Sequence, residues 1–131
     1  MSDAVELSIP VASDLIVLAR LTAATVASRI GFDIEQIEDL RLAVDELCVS
    51  LIRGTSGGRL TLTFTGDDDQ VEVSCVLVPG PDDAPTESED VDESAGLSTQ
   101  ILDALVDAHG RSRQDGHERA WLRKRRTLQQ A

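Results

Sequence analysis

Glu46 and Ser50 stand four residues apart in the segment Asp39-Leu40-Arg41-Leu42-Ala43-Val44-Asp45-Glu46-Leu47-Cys48-Val49-Ser50. On a helix, that spacing puts a carboxylate and a hydroxyl on one side, roughly opposite Val44, Leu47 and Leu51, where both can face a ligand or water. With Asp39 and Arg53 they make an ordinary solvated helix face equally well. The remaining reactive residue types point less clearly to a site. Cys48 and Cys75 lack the close Cys/His spacing of a zinc site, and two thiols in a chain of 131 residues are no disulfide framework. Both read as core thiols. His109 and His117 have no second ligand type at useful spacing, so no metal site is expected.

These residues need elements to hold them. Val5, Leu7 and Ile9 alternate as in a half-buried strand that Pro10 ends. From Ser13 to Ile30 the positions Leu15, Leu18, Ala19, Thr22, Val26 and Ile30 recur at helical spacing, with Ser13 as N-cap and Gly31 suited to the left-handed position after the helix. A second helix begins at Asp33, which forms a capping-box-like pair with Gln36, and carries Ile37, Leu40, Val44, Leu47 and Leu51 as far as Gly54. Thr55-Ser56-Gly57-Gly58 is a turn. Two antiparallel strands then follow, one with Leu60, Leu62 and Phe64, the other with Val71, Val73, Cys75 and Leu77, joined by Gly66-Asp67-Asp68-Asp69.

Periodicity is lost over 79–95, where prolines gather with Asp82, Asp83, Glu87, Glu89, Asp90, Asp92 and Glu93, so a flexible, acidic, lid-like loop is expected there. A third helix is expected from about Ser98 through Ile101, Leu102, Leu105 and Val106 to His109, stopped by Gly110. A last pair of strands flanks Asp115-Gly116, the second over about Glu118 to Arg125 with Ala120 and Leu122 on one face. This order predicts one α+β domain over 1–131, a two-layer sandwich with three helices on one face of a mostly antiparallel sheet. The first helix also carries Val17, Leu21 and Ala24 opposite its core stripe, with Arg20 at the edge of that second patch. A helix apolar on two sides needs two partners, the second being either the neighbouring helix or another chain.

The formal net charge of −12 argues against DNA or an anionic membrane as the main ligand and suits a basic protein partner. The terminal run Arg123-Lys124-Arg125-Arg126 reads as a solvated strand end or tail. The N-terminal residues show no basic segment followed by an apolar run, and no stretch approaches the roughly 20 apolar residues of a membrane span. A cytoplasmic protein is expected.

The helix around Glu46 resembles the N-box helix of the GHKL (Bergerat-type) anti-sigma factors that double as serine kinases, the RsbW-like family. Leu18-Ala19-Arg20-Leu21-Thr22 resembles that family's first helix. Gly96-Leu97-Ser98-Thr99-Gln100-Ile101-Leu102 with Leu105-Val106-Asp107 resembles its second glycine box and the helix after it. The order and spacing of the three pieces agree over nearly the whole chain. The resemblance implies a catalytic base at Glu46, an asparagine that holds Mg²⁺ where this chain has Ser50, and an Asp-x-Gly adenine anchor where it has Val78-Pro79-Gly80. It also implies phosphate-binding glycines at Gly96 and at the position of Ser98.

Three of those contacts are altered. Each lost hydrogen bond to a ligand costs on the order of 1 to 3 kcal/mol, so two or three would weaken ATP binding by a few powers of ten. ATP and Mg²⁺ are therefore cofactors only if the site still works. The resemblance places the first helix near the dimer and sigma-factor interface, with Arg20 matching an arginine that contacts sigma. It implies an anti-sigma factor released through partner switching with an anti-sigma-factor antagonist, in a stress response. The alternative is an active kinase that phosphorylates the antagonist.

Overall fold

The computed structural model describes residues 3–53, 55, 57–80 and 91–127, with the side chains of 91–95 left aside. Gly54, Ser56 and the acids Asp82, Asp83, Glu87, Glu89 and Asp90 lie outside the described residues. The elements run in the predicted order: β1 (Asp3–Pro10), α1 (Ile16–Arg29), α2 (Ile34–Ile52), β2 (Arg59–Gly66), β3 (Gln70–Val78), α3 (Val91–Leu105), β4 (Ala108–Gln114) and β5 (His117–Arg125). The five strands form one antiparallel sheet in the order β1-β2-β3-β5-β4. With three helices against it, this is the expected two-layer α+β sandwich.

Register explains the core. Phe64, Val73 and Leu122 stand side by side across three strands, as do Leu62, Cys75 and Ala120, and all are buried. Because strand side chains alternate, Thr63, Ser74 and Trp121 point to the opposite face. Leu40, Val44, Leu47, Cys48 and Leu51 of α2 complete the packed layer with Ile16, Ala19, Ala23, Val26 and Ala27 of α1. No helix among the described residues is long and apolar enough to cross a membrane.

The local signals around α2 act as read. Asp33 Oδ1 accepts the Gln36 amide at 2.8 Å, and Gln36 Oε1 accepts the Asp33 amide at 3.2 Å. This capping box satisfies two of the helix's free N–H groups. Gly31, at φ +88°, ends α1 as expected: its amide donates to Ser28 O and the Phe32 amide donates to Ala27 O, the pairing of a Schellman turn. Asp115 (φ 54°) and Gly116 (φ 77°) make the two-residue turn between β4 and β5.

Three expectations require correction. Ser13 caps no α-helix: it opens a single 3-10 turn, Ser13–Leu15, and α1 begins at Ile16 without a side-chain cap. The buried stripe of α1 is also rotated. It uses Ile16, Ala19, Ala23, Val26 and Ala27, leaving Leu18 39% exposed. Ala19, Ala23 and Ala27 are each 0% exposed, so this face of α1 packs through small side chains. The third correction concerns α3, which begins at Val91, inside the stretch expected to be a loop, and ends at Leu105, so His109 and Gly110 belong to β4. Gly110 is no helix stop. A Cβ there would lie 2.7 Å from Trp121 Nε1, so the glycine accommodates an indole from the neighbouring strand.

Candidate functional site

The carboxylate of Glu46 is held between two elements. Ser98 of α3 donates its hydroxyl to Glu46 Oε1, and Arg53 Nη2 stands 3.7 Å from the same oxygen. Glu46 keeps 16% of its side chain exposed and Ser98 is 5% exposed. The helical projection placed Glu46 on a side open to ligand or water; in the fold that side is covered by α3. A hydroxyl aimed at a carboxylate is the relation of an alcohol to its general base. Here the alcohol is the chain's own serine.

The other predicted nucleotide residues are spread around this contact. Ser50 donates its hydroxyl to Leu47 O at 2.9 Å, the back-bond of a serine within its own helix. Val78 ends β3, and the Pro79-Gly80 segment after it packs on Gly58, where a Cβ would lie 2.3 Å from Val78 O and 3.0 Å from Gly80 N. Gly58, at φ +101°, has both the conformation and the close approach that only glycine allows. Gly96 lies within α3, where an amide bonds along the helix and not to a ligand. In this conformation the residues do not fit a magnesium triphosphate. The hydroxyl at 50 is engaged, the anchor position is apolar, and Ser98 occupies the ground in front of Glu46.

The second predicted site is organised differently. Val17 is 38% and Leu21 52% exposed on α1, while Ala24 is half-buried. Thus α2 does not absorb the second apolar side of α1. Arg20, between these residues, lies with its Nε 3.4 Å from Asp45 Oδ1 of α2, both side chains well exposed. Leu18 and Leu42 add exposed apolar surface that the periodicity had assigned to the core or left aside. Sequence reasoning also missed the Asp45 partner and the contact between Glu46 and Ser98. The latter spans 52 residues, and its one available signal was that the resemblance assigned both residues to the same site.

Cys48 and Cys75 are both buried and free. The hydrogen bond that the protonated Cys75 thiol makes to the Cys48 side chain, followed by burial, pushes Cys75 far above its ordinary range. Cys75 therefore stays protonated, and both buried thiols serve as core.

Known proteins resemble this chain in sequence. The model of the histidine kinase-like ATPase domain matches residues 9–124. The serine-protein kinase RsbW of Bacillus pumilus (strain SAFR-032) is 31% identical over 122 residues, covering 80% of this chain and 75% of that protein. The serine-protein kinase RsbW of Bacillus subtilis (strain 168) is 32% identical over 76 residues, 55% of this chain and 48% of its own length. That of Bacillus cereus (strain B4264) is 32% identical over 72 residues, 53% and 45% respectively. The chain thus aligns with three quarters of the first relative and about half of the other two. It belongs to the histidine kinase-like (GHKL) ATPase family, as an RsbW-like member.

Proposed function

We propose that this chain is an anti-sigma factor, a cytoplasmic binding module that sequesters an RNA polymerase sigma factor and releases it by partner switching with an anti-sigma-factor antagonist in a stress response. The observation that carries this reading is the exposed strip Val17, Arg20 and Leu21 on α1, more than half of Leu21 being open to solvent. Exposed apolar surface with an arginine set in it suits a protein interface, where arginine is among the residues that carry binding energy. Its ion pair with Asp45 is a surface pair, worth about 0 to 1 kcal/mol, so redirecting the guanidinium to an acidic group of a partner costs little. The same helix face would serve a homodimer.

A second reading keeps the scaffold as a serine kinase using ATP and Mg²⁺. Glu46 stands at the base position, and the relatives are named serine-protein kinases. The contact of Ser98 with Glu46 and the engaged Ser50 weigh against it.

The deciding variant is Arg20→Glu. Calorimetric titration with the sigma factor that co-purifies from the native host should show affinity reduced at least about tenfold, roughly 1.4 kcal/mol, with the melting temperature unchanged within a degree or so. Unchanged affinity would remove Arg20 and its helix face from the account.

A further inference from the structure

Besides the Glu46 region the molecule has a recess of about 580 Å³, at the end of the sheet where α1 stops and β2 turns into β3. That volume lies within the roughly 300 to 1,000 Å³ of small-molecule pockets. It is remote from Glu46: α2 leaves this end at Ile34, and Glu46 follows roughly 18 Å along the helix axis.

The lining is charged with both signs. Arg29 and Arg126 stand on the wall formed by α1 and the segment after β5, Asp67 and Asp68 on the turn between β2 and β3, and Val5, Val26 and Ile30 supply apolar surface between them. Two glycines keep the recess open. A Cβ at Gly31 would lie 3.0 Å from Arg126 Nη1, and one at Gly66 would lie 3.1 Å from Val26 Cγ1. Arg126 is fixed: its Nη1 donates to Ile30 O at 2.9 Å, the carbonyl at the end of α1, and its amide donates to Asp69 O at 2.6 Å. Its Nε is buried and has no acceptor among the described residues, a donor left unsatisfied at the wall of the recess. On the facing turn, Asp67 Oδ1 accepts the Asp68 amide at 2.8 Å, which ties the Asp67 carboxylate to the turn beside Asp68.

A purely anionic ligand would meet Asp67 and Asp68, and a purely cationic one would meet the arginines. A molecule with both charges and an aliphatic part satisfies all of them. We infer that this recess binds a small amphoteric metabolite of the amino-acid class, its carboxylate on Arg126, its ammonium on Asp67 and Asp68, and its side chain against Val5, Val26 and Ile30. This assignment is independent of the partner reading, since it uses none of Val17, Arg20 or Leu21.

The test is the melting temperature of the full chain with each proteinogenic amino acid at about 10 mM, with succinate and 1,4-diaminobutane as single-sign controls at matched ionic strength. At least one amino acid should raise it saturably by about 2 to 4 °C, well above either control. The rise should disappear in Arg126→Gln and in Asp68→Asn; the second lies on an exposed turn and keeps the fold if the first does not. The assignment is overturned if no amino acid stabilises the chain, if a control does so equally well, or if the rise survives in Asp68→Asn.

Discussion

Ser98 does the most to decide what Glu46 is able to do. A hydroxyl donating to a half-buried carboxylate makes a charge-assisted bond, and it holds α3 against α2 where the resemblance calls for a substrate hydroxyl or water. Replacing Ser98 with alanine should lower unfolding free energy by about 1 to 2 kcal/mol, read by urea denaturation, and speed amide exchange in α3. An unchanged midpoint and unchanged exchange would mean that the contact holds nothing. The thiol pair makes a separate prediction at this scale. Cys75 is raised in the folded chain by Cys48 and burial, so it stays protonated as pH rises while the unfolded thiol, with its ordinary value near 9.0, loses its proton. The unfolded state then binds fewer protons and stability falls with pH, by about 1.4 kcal/mol per unit above that value for one thiol. Denaturation at pH 8 and pH 10 should show the loss, and Cys75→Ala should flatten it by the contribution of that thiol.

Elements were legible where their signals are local. The capping box of α2 needs only Asp33 and Gln36, and the sequence carries both, so the start of this helix was readable to the residue. Asp33→Ala should cost about 1 kcal/mol, measured as a shift in denaturation midpoint at constant slope; no shift would mean that Gln36, whose Nε2 also donates to Thr127 O, holds the helix start by itself. The strands were legible for a similar reason, since alternation of Leu60, Leu62 and Phe64 is a property of one strand. The phase of α1 was not, because Ala19, Ala23 and Ala27 carry little hydrophobic signal yet are fully buried. The limits of α3 were missed because Gly110 looks like a helix stop, and its actual role depends on Trp121, eleven positions on in a strand not yet paired. The candidate site was legible in its members and not in their contacts. Glu46 and Ser98 were each named, but their contact is tertiary, and Ser50 was credited with an oxygen that its own helix uses.

At the scale of the molecule, one scaffold presents two surfaces in opposite states. The Glu46 region is closed by α3, while α1 leaves Val17 and Leu21 exposed on either side of Arg20. The net charge of −12 favours encounter with a basic partner, an effect that salt weakens through the association rate. If capture belongs to α1 and the nucleotide site is closed, nucleotide should be irrelevant to capture. The measurement that separates the two readings is the affinity of this chain for the sigma factor proposed as its partner, titrated by calorimetry without nucleotide and again with millimolar Mg·ATP. The account predicts the same Kd in both, within about a factor of two, or roughly 0.4 kcal/mol. An affinity that rises tenfold or more with Mg·ATP would contradict it and return the function to the site around Glu46.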